Sequence, residues 1–72
     1  MIDEVLFMEM RLLRQFGDRF QIDHIRTNEL FKKFKIWDYI ERCYDYFRTC
    51  GDEYILDDIT EVLKAKGAII NA

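Results

Sequence analysis

Few side chains in this sequence could make or break a bond. There is one histidine, His24, and there are two cysteines, Cys43 and Cys50. His24 has no carboxylate or thiol at a spacing that would make it a general base. Neither cysteine has an adjacent histidine or basic residue to draw its thiol toward the reactive thiolate. A structural zinc site needs four ligands, usually in close pairs, and these three residues do not supply them. On one continuous helix Cys43 and Cys50 would stand about 10 Å apart by helical rise, beyond disulfide reach. Two free thiols are the expectation. No glycine-rich phosphate loop and no nucleophile elbow is present. A chain of 72 residues is also short for walling off a pocket as a monomer. The expectation is a non-enzymatic protein with no cofactor and no metal.

What the chain does carry is recognition chemistry, concentrated between Ile36 and Leu63. That stretch holds the only tryptophan, all four tyrosines and both cysteines. Five carboxylates, Asp52, Glu53, Asp57, Asp58 and Glu61, follow one another with no lysine or arginine between them. Tyrosine and tryptophan are enriched where proteins bind one another, and clustered carboxylates steer a basic partner. The predicted partner-binding set is Trp37, Tyr39, Tyr46 and Tyr54 as anchors, with Asp52, Glu53 and Asp57 orienting a basic surface. A plainer reading competes: a central helix touching both neighbours, tyrosine hydroxyls reaching water, and acids serving as caps on a solvated face.

Two other functions fit the residues less well. Arg26, Lys32, Lys33 and Lys35 form the most basic part of the chain, and residues 24–47 read superficially as a helix-turn-helix, the pattern of a DNA-binding regulator. The would-be recognition helix carries Asp38, Glu41 and Asp45, which repel phosphates. The aromatic excess would also suit a homodimer, which Tyr46→Glu would then disrupt.

These residues need a scaffold. Half of the sequence is hydrophobic, the net charge is −3, there is no proline, and there are three glycines. Such a chain favours helices joined by short turns. One domain over residues 1–72 is expected, all-α, as a compact bundle of three to four short helices. A core this small rarely supplies more than about 3–5 kcal/mol unaided, which makes a partner or self-association relevant. No run of about 18 apolar residues suggests a membrane span. Asp3, Glu4 and Glu9 stand where a signal peptide would carry basic residues, so the cytoplasm is the expected compartment.

Periodicity predicts a first helix over 2–16, with Ile2, Val5, Leu6, Leu12, Leu13 and Phe16 inward, Met8 beside them, and Phe7 and Met10 off the stripe. Gly17 would close it in the left-handed conformation. Asp23, with Thr27 as rival, would cap a second helix over 24–34 whose apolar side is Ile25, Leu30, Phe31 and Phe34. A third helix is predicted over 37–48, with Ile36, Ile40, Cys43, Tyr44 and Phe47 inward and Tyr39, Tyr46 and Cys50 alongside. Asp57 would cap a last helix over 58–66, closed by Gly67. Residues 53–56 and 68–71 admit two arrangements: a minor two-stranded element, or a tail packed across the bundle.

The segment from Ile36 to Gly67 resembles the second half of a small bacterial family of unknown function. Ile36, Asp38, Tyr39, Ile40, Tyr44, Asp45, Glu53, Tyr54, Ile55, Asp58 and Ile59 carry the likeness, whereas the first 35 residues match only in pattern. Where that family tends to have histidine, this chain has Arg48. Members are often encoded beside ADP-ribosyltransferase-like toxins. The resemblance therefore implies an antitoxin, immunity or accessory protein that binds such a toxin, and it carries over no catalytic residue.

Overall fold

Asp3 starts the first helix. Its carboxylate accepts from the backbone N–H groups of Val5 and Leu6, both at 3.1 Å, and so satisfies donors that a helix N-terminus leaves free. In the computed structural model, which describes residues 3–70, helix α1 then runs Glu4–Phe20. Met8, Leu12 and Phe16 recur every fourth residue and are buried. That line excludes Leu6, which was expected inward but stands on the opposite side of the helix and is 51% exposed. Ile2, assigned to the same stripe, lies outside the described residues.

The helix does not stop at Gly17. It continues for another turn, and Gln21 takes the left-handed position at φ 56°. Gly17 is instead a point of close approach. A Cβ there would lie 2.7 Å from the Ile22 carbonyl oxygen and 3.3 Å from Thr27 Oγ1. The missing side chain lets the start of the next helix fold back against α1.

Helix α2, His24–Lys33, begins as expected, with Asp23 Oδ1 accepting from Arg26 N at 2.8 Å. Thr27 is not a cap. It is buried, and its hydroxyl donates to the Asp23 carbonyl at 2.8 Å. Phe31 reaches the core, edge-on to Phe16 at 5.2 Å, while Ile25, expected inward, is 75% exposed. Lys35 turns the chain at φ 58° into α3, Ile36–Arg42.

The predicted helix over 37–48 is divided. At Cys43 the backbone leaves helical geometry (φ −98°, ψ 9°), and a single turn follows, α4, Tyr44–Phe47. Ile36 and Ile40 before the break and Phe47 after it are all buried, so the bend keeps both pieces on the core. No glycine or proline marks it.

Helix α5, Asp52–Ala65, begins earlier than predicted, with Gly51 at its N-cap. Asp57 is therefore inside the helix, and residues 53–56 are helical rather than a strand. The apolar spacing explains the longer element: Ile55, Ile59 and Leu63 form one buried line with Leu56 beside it. Gly67 adopts φ 90°, Ala68 N donates to the Leu63 carbonyl at 2.9 Å, and Ala68 and Ile70 pack on the core. The tail thus crosses the bundle, and no strand occurs among the described residues; Asn71 lies beyond them.

The result is an all-α bundle of four helices and one extra turn, 34 × 22 × 20 Å. Helix α1 is its spine, packing on α2, α3 and α5. Each fully buried phenylalanine, Phe16, Phe31 and Phe47, contributes about 1.5–3 kcal/mol through the apolar surface it removes from water. One carboxylate works against this. Glu9 on α1 is only 8% exposed, and its pKa is raised by burial and then by the negative charges of Glu41 and Asp3.

Candidate functional site

Of the predicted aromatic anchors, the structure brings two together. Tyr46 on α4 and Tyr54 on α5 stand on either side of the 48–51 turn, 56% and 52% exposed. Their rings meet edge-on at 6.3 Å and their hydroxyls are 3.0 Å apart. The hydrogen bond to Tyr54, before any other cause, pushes the Tyr46 pKa up to about 12. Each ring fixes the other, so the pair is a preformed aromatic surface. Cys50 lies beneath it, its thiol donating to the Tyr46 carbonyl at 3.4 Å.

The other two anchors are turned to internal use. Tyr39 is half-buried, edge-on to Phe47 at 5.7 Å, and donates its hydroxyl to Asp58 Oδ2 at 2.5 Å. Burial first, and then the Asp58 carboxylate, raise the Tyr39 pKa. Trp37, also half-buried, packs edge-on against Phe31 at 5.0 Å and donates Nε1–H to Asn28 Oδ1 at 3.2 Å. Tyr39 thus ties α3 to α4 and α5, and Trp37 ties it to the preceding helix, α2.

The acidic cluster is partly answered from within the chain. Asp52 accepts from Arg11 at 3.2 Å and from Gln15 at 3.0 Å. Arg19 forks between Glu53 Oε2 at 2.6 Å and Asp57 Oδ1 at 2.7 Å. Two arginines of α1 thus strap the acidic face of α5 to the bundle, as charge-assisted hydrogen bonds do well. Glu53 and Asp57 still present most of their side chains to solvent, 89% and 71%. The face remains open to a partner, but its charge is lower than the sequence suggested. Arg11 and Arg19 carried no signal in the sequence, because pairing between separate helices has no fixed spacing.

The basic residues form no comparable site. Arg26, Lys32, Lys33 and Lys35 are exposed around α2 and the turn after it. The exposed positions of α3, the would-be recognition helix, are Asp38, Glu41 and Arg42, a surface of mixed sign. Its remaining positions pack inward or against α2.

A further surface is apolar. Leu6, Phe7 and Met10 on α1 are 51%, 62% and 47% exposed, and Ile25 on α2 lies close by. A groove of about 380 Å³ runs between α1 and α4, lined by Glu4, Phe7, Met8, Arg11, Tyr44 and Arg48. Tyr44 closes one side by donating to Glu4 Oε2 at 3.1 Å. Cys43 and Cys50 are free thiols, and among the described residues no three histidines, cysteines or carboxylates are placed to hold a metal ion. Nor is any described helix long and apolar enough to cross a membrane.

A small all-α bundle with exposed aromatic, apolar and charged faces defines a class of helical module in which surface, rather than an enclosed cleft, dominates. Within that class the chain belongs to DUF3791, a family described as proteins of unknown function, which matches residues 8–66. The match covers α1 from Met8 through α5, so it reaches well beyond the C-terminal half that carried the resemblance in sequence. No curated protein and no solved structure matches the chain.

Proposed function

We propose that this protein is a non-enzymatic protein-interaction module whose docking face is the Tyr46–Tyr54 pair with Glu53 and Asp57 beside it. The observation that carries the reading is the pair itself. Two large rings lie half outside the core, held against each other by an edge contact and a hydroxyl–hydroxyl bond. Rigid aromatic side chains with polar tips give contact area at low entropic cost. The neighbouring carboxylates favour a partner with a basic surface.

The resemblance supports a narrower form: an antitoxin, immunity or accessory protein of bacterial, cytoplasmic origin that occludes a neighbouring ADP-ribosyltransferase-like toxin. Arg11 and Arg19 then have a second role. By strapping α5 to α1 they hold Glu53 and Asp57 in place before the partner arrives, lowering the ordering cost of binding.

The test is an affinity capture of the tagged protein from lysate of its source cell, with and without nuclease, run beside Tyr46→Ala/Tyr54→Ala. A nuclease-resistant partner that the double variant loses, with its helical circular dichroism intact, supports the reading. A partner kept by the double variant removes the tyrosine face from consideration. A catch that vanishes with nuclease points to nucleic acid instead. Where the partner is ADP-ribosyltransferase-like, rescue of growth on co-expression tests the antitoxin form directly.

A further inference from the structure

We infer that the outward face of α1 pairs two copies of this chain, as antiparallel helices about a two-fold axis near Met8 and Glu9. The inference rests on the interaction-module reading for its premise, that exposed large side chains serve contact, but it concerns a different surface.

The face is a single strip. Asp3, Leu6, Phe7, Met10 and Arg14 share the side of α1 opposite the buried line of Met8, Leu12 and Phe16. The strip rises about 16 Å from end to end. Its middle is apolar, with Phe7 62% exposed and Met10 47% exposed. Beside Met10 it continues into a groove of about 530 Å³ that includes Leu13 and the 75%-exposed Ile25. Isolated exposed apolar side chains are ordinary on a protein surface, but four adjacent ones on so small a domain form a patch.

The charges choose the occupant. Asp3 stands at one end of the strip and Arg14 at the other, both exposed. Arg14 is in no ion pair among the described residues. In the antiparallel register that sets Phe7 of one copy on Met10 of the other, Asp3 of each copy also meets Arg14 of the other. The strip is thus complementary to itself, as a two-fold interface requires. Parallel pairing would instead bring like charges together at both ends. Phe7 of the second copy arrives over the groove beside Met10, where aromatic–thioether contact is favourable. The apolar centre supplies the attraction, and the exposed ion pairs at the ends set direction and register.

The experiment is sedimentation velocity on the full chain across a concentration series, with circular dichroism of every variant. The wild-type chain should show a concentration-dependent dimer, and Met10→Glu should remain monomeric with unchanged helicity. Arg14→Glu should weaken the dimer about tenfold, since two symmetric attractions become repulsions. Asp3→Asn keeps an N-cap side chain and removes only the charge. It should weaken the wild-type dimer and strengthen the Arg14→Glu dimer, a reversal that only direct pairing of these two positions produces. A wild-type chain that stays monomeric at every concentration overturns the inference. So does a dimer that ignores Met10→Glu and disappears in Tyr46→Glu. The two readings fail separately: a monomer that still captures a protein through Tyr46 and Tyr54 removes only the pairing, and a dimer that captures nothing removes only the docking face.

Discussion

The Ile22 carbonyl oxygen lies 2.7 Å from the place a Cβ on Gly17 would occupy. Real Cβ atoms do not sit that close to a backbone oxygen. Ordinarily, replacing a glycine inside a helix by alanine gains up to about 1 kcal/mol. Here Gly17→Ala should instead destabilise by about 1–3 kcal/mol, because α2 must move away from α1 or the helix must bend. Urea denaturation checks this, and a higher midpoint for the variant would show that the contact yields freely.

Glu9, a residue with little exposed surface, gives the molecule a pH dependence. Burial and two nearby carboxylates raise its pKa, so the folded state favours the protonated form. The stabilising contribution is complete below the ordinary glutamate pKa and is lost as pH rises through the raised value in the folded protein. At neutral pH the charged group therefore costs stability. Glu9→Gln should raise the thermal midpoint at neutral pH, and the gain should shrink as the buffer is taken below the ordinary glutamate range. Equal gains at both pH values would mean that the effect is not one of charge.

Arg19 tests how much the α1–α5 strap contributes. Its two carboxylate partners are mostly solvated, so each pair is worth about 0.2–1 kcal/mol. Arg19→Gln should therefore lower stability by roughly 1 kcal/mol in low salt and by less in high salt, where the wild-type pairs are screened. In the lysate capture the same variant should weaken the partner more than it weakens the fold, because Glu53 and Asp57 lose their fixed positions. A variant as stable as wild type in low salt would make the strap a surface detail.

Lys35 holds φ 58° between α2 and α3, a conformation in which a side chain costs roughly 1 kcal/mol. Lys35→Gly removes that cost but also adds backbone freedom to the unfolded chain, and the two partly cancel. Lys35→Asn tolerates the same backbone with less added freedom and should be the more stabilising, by up to about 1 kcal/mol. Thermal melts of the pair settle the order. If both variants lose stability, the lysine side chain itself matters at this turn.

What could be read from the sequence is what depends on near neighbours. The stripe that carries Leu12 and Phe16, the Asp23 cap and the Gly67 stop all follow from residues within a turn or two, and each is present in the fold. The bend at Cys43 could not be read, because no glycine or proline marks it and Ile40 and Phe47, seven residues apart, would share one face of an unbroken helix as well. The start of α5 was misplaced for a related reason. Asp57 has the chemistry of a cap, but the buried line from Ile55 to Leu63 extends the helix past it. The sequence suggests Gly17 for the freedom of its backbone, whereas the fold uses its lack of bulk. The site divided along the same line. The sequence offers Trp37, Tyr39, Tyr46 and Tyr54 alike as anchors, and which of them stay exposed, like the capture of Asp52, Glu53 and Asp57 by α1, belongs to the tertiary structure alone.

The packing of α5 against α1 also sets when the protein can fold. Ile55, Leu56, Ile59 and Leu63 are buried in the same core as Met8, Leu12 and Phe16. While a ribosome is still making residues 52–65, the inward line of α1 has no α5 to cover it. The nascent chain must therefore carry open apolar surface until residues 52–65 have emerged, and such surface is what chaperones bind and what aggregates. A pause in translation anywhere between α1 and the end of α5 would lengthen that interval by its own duration.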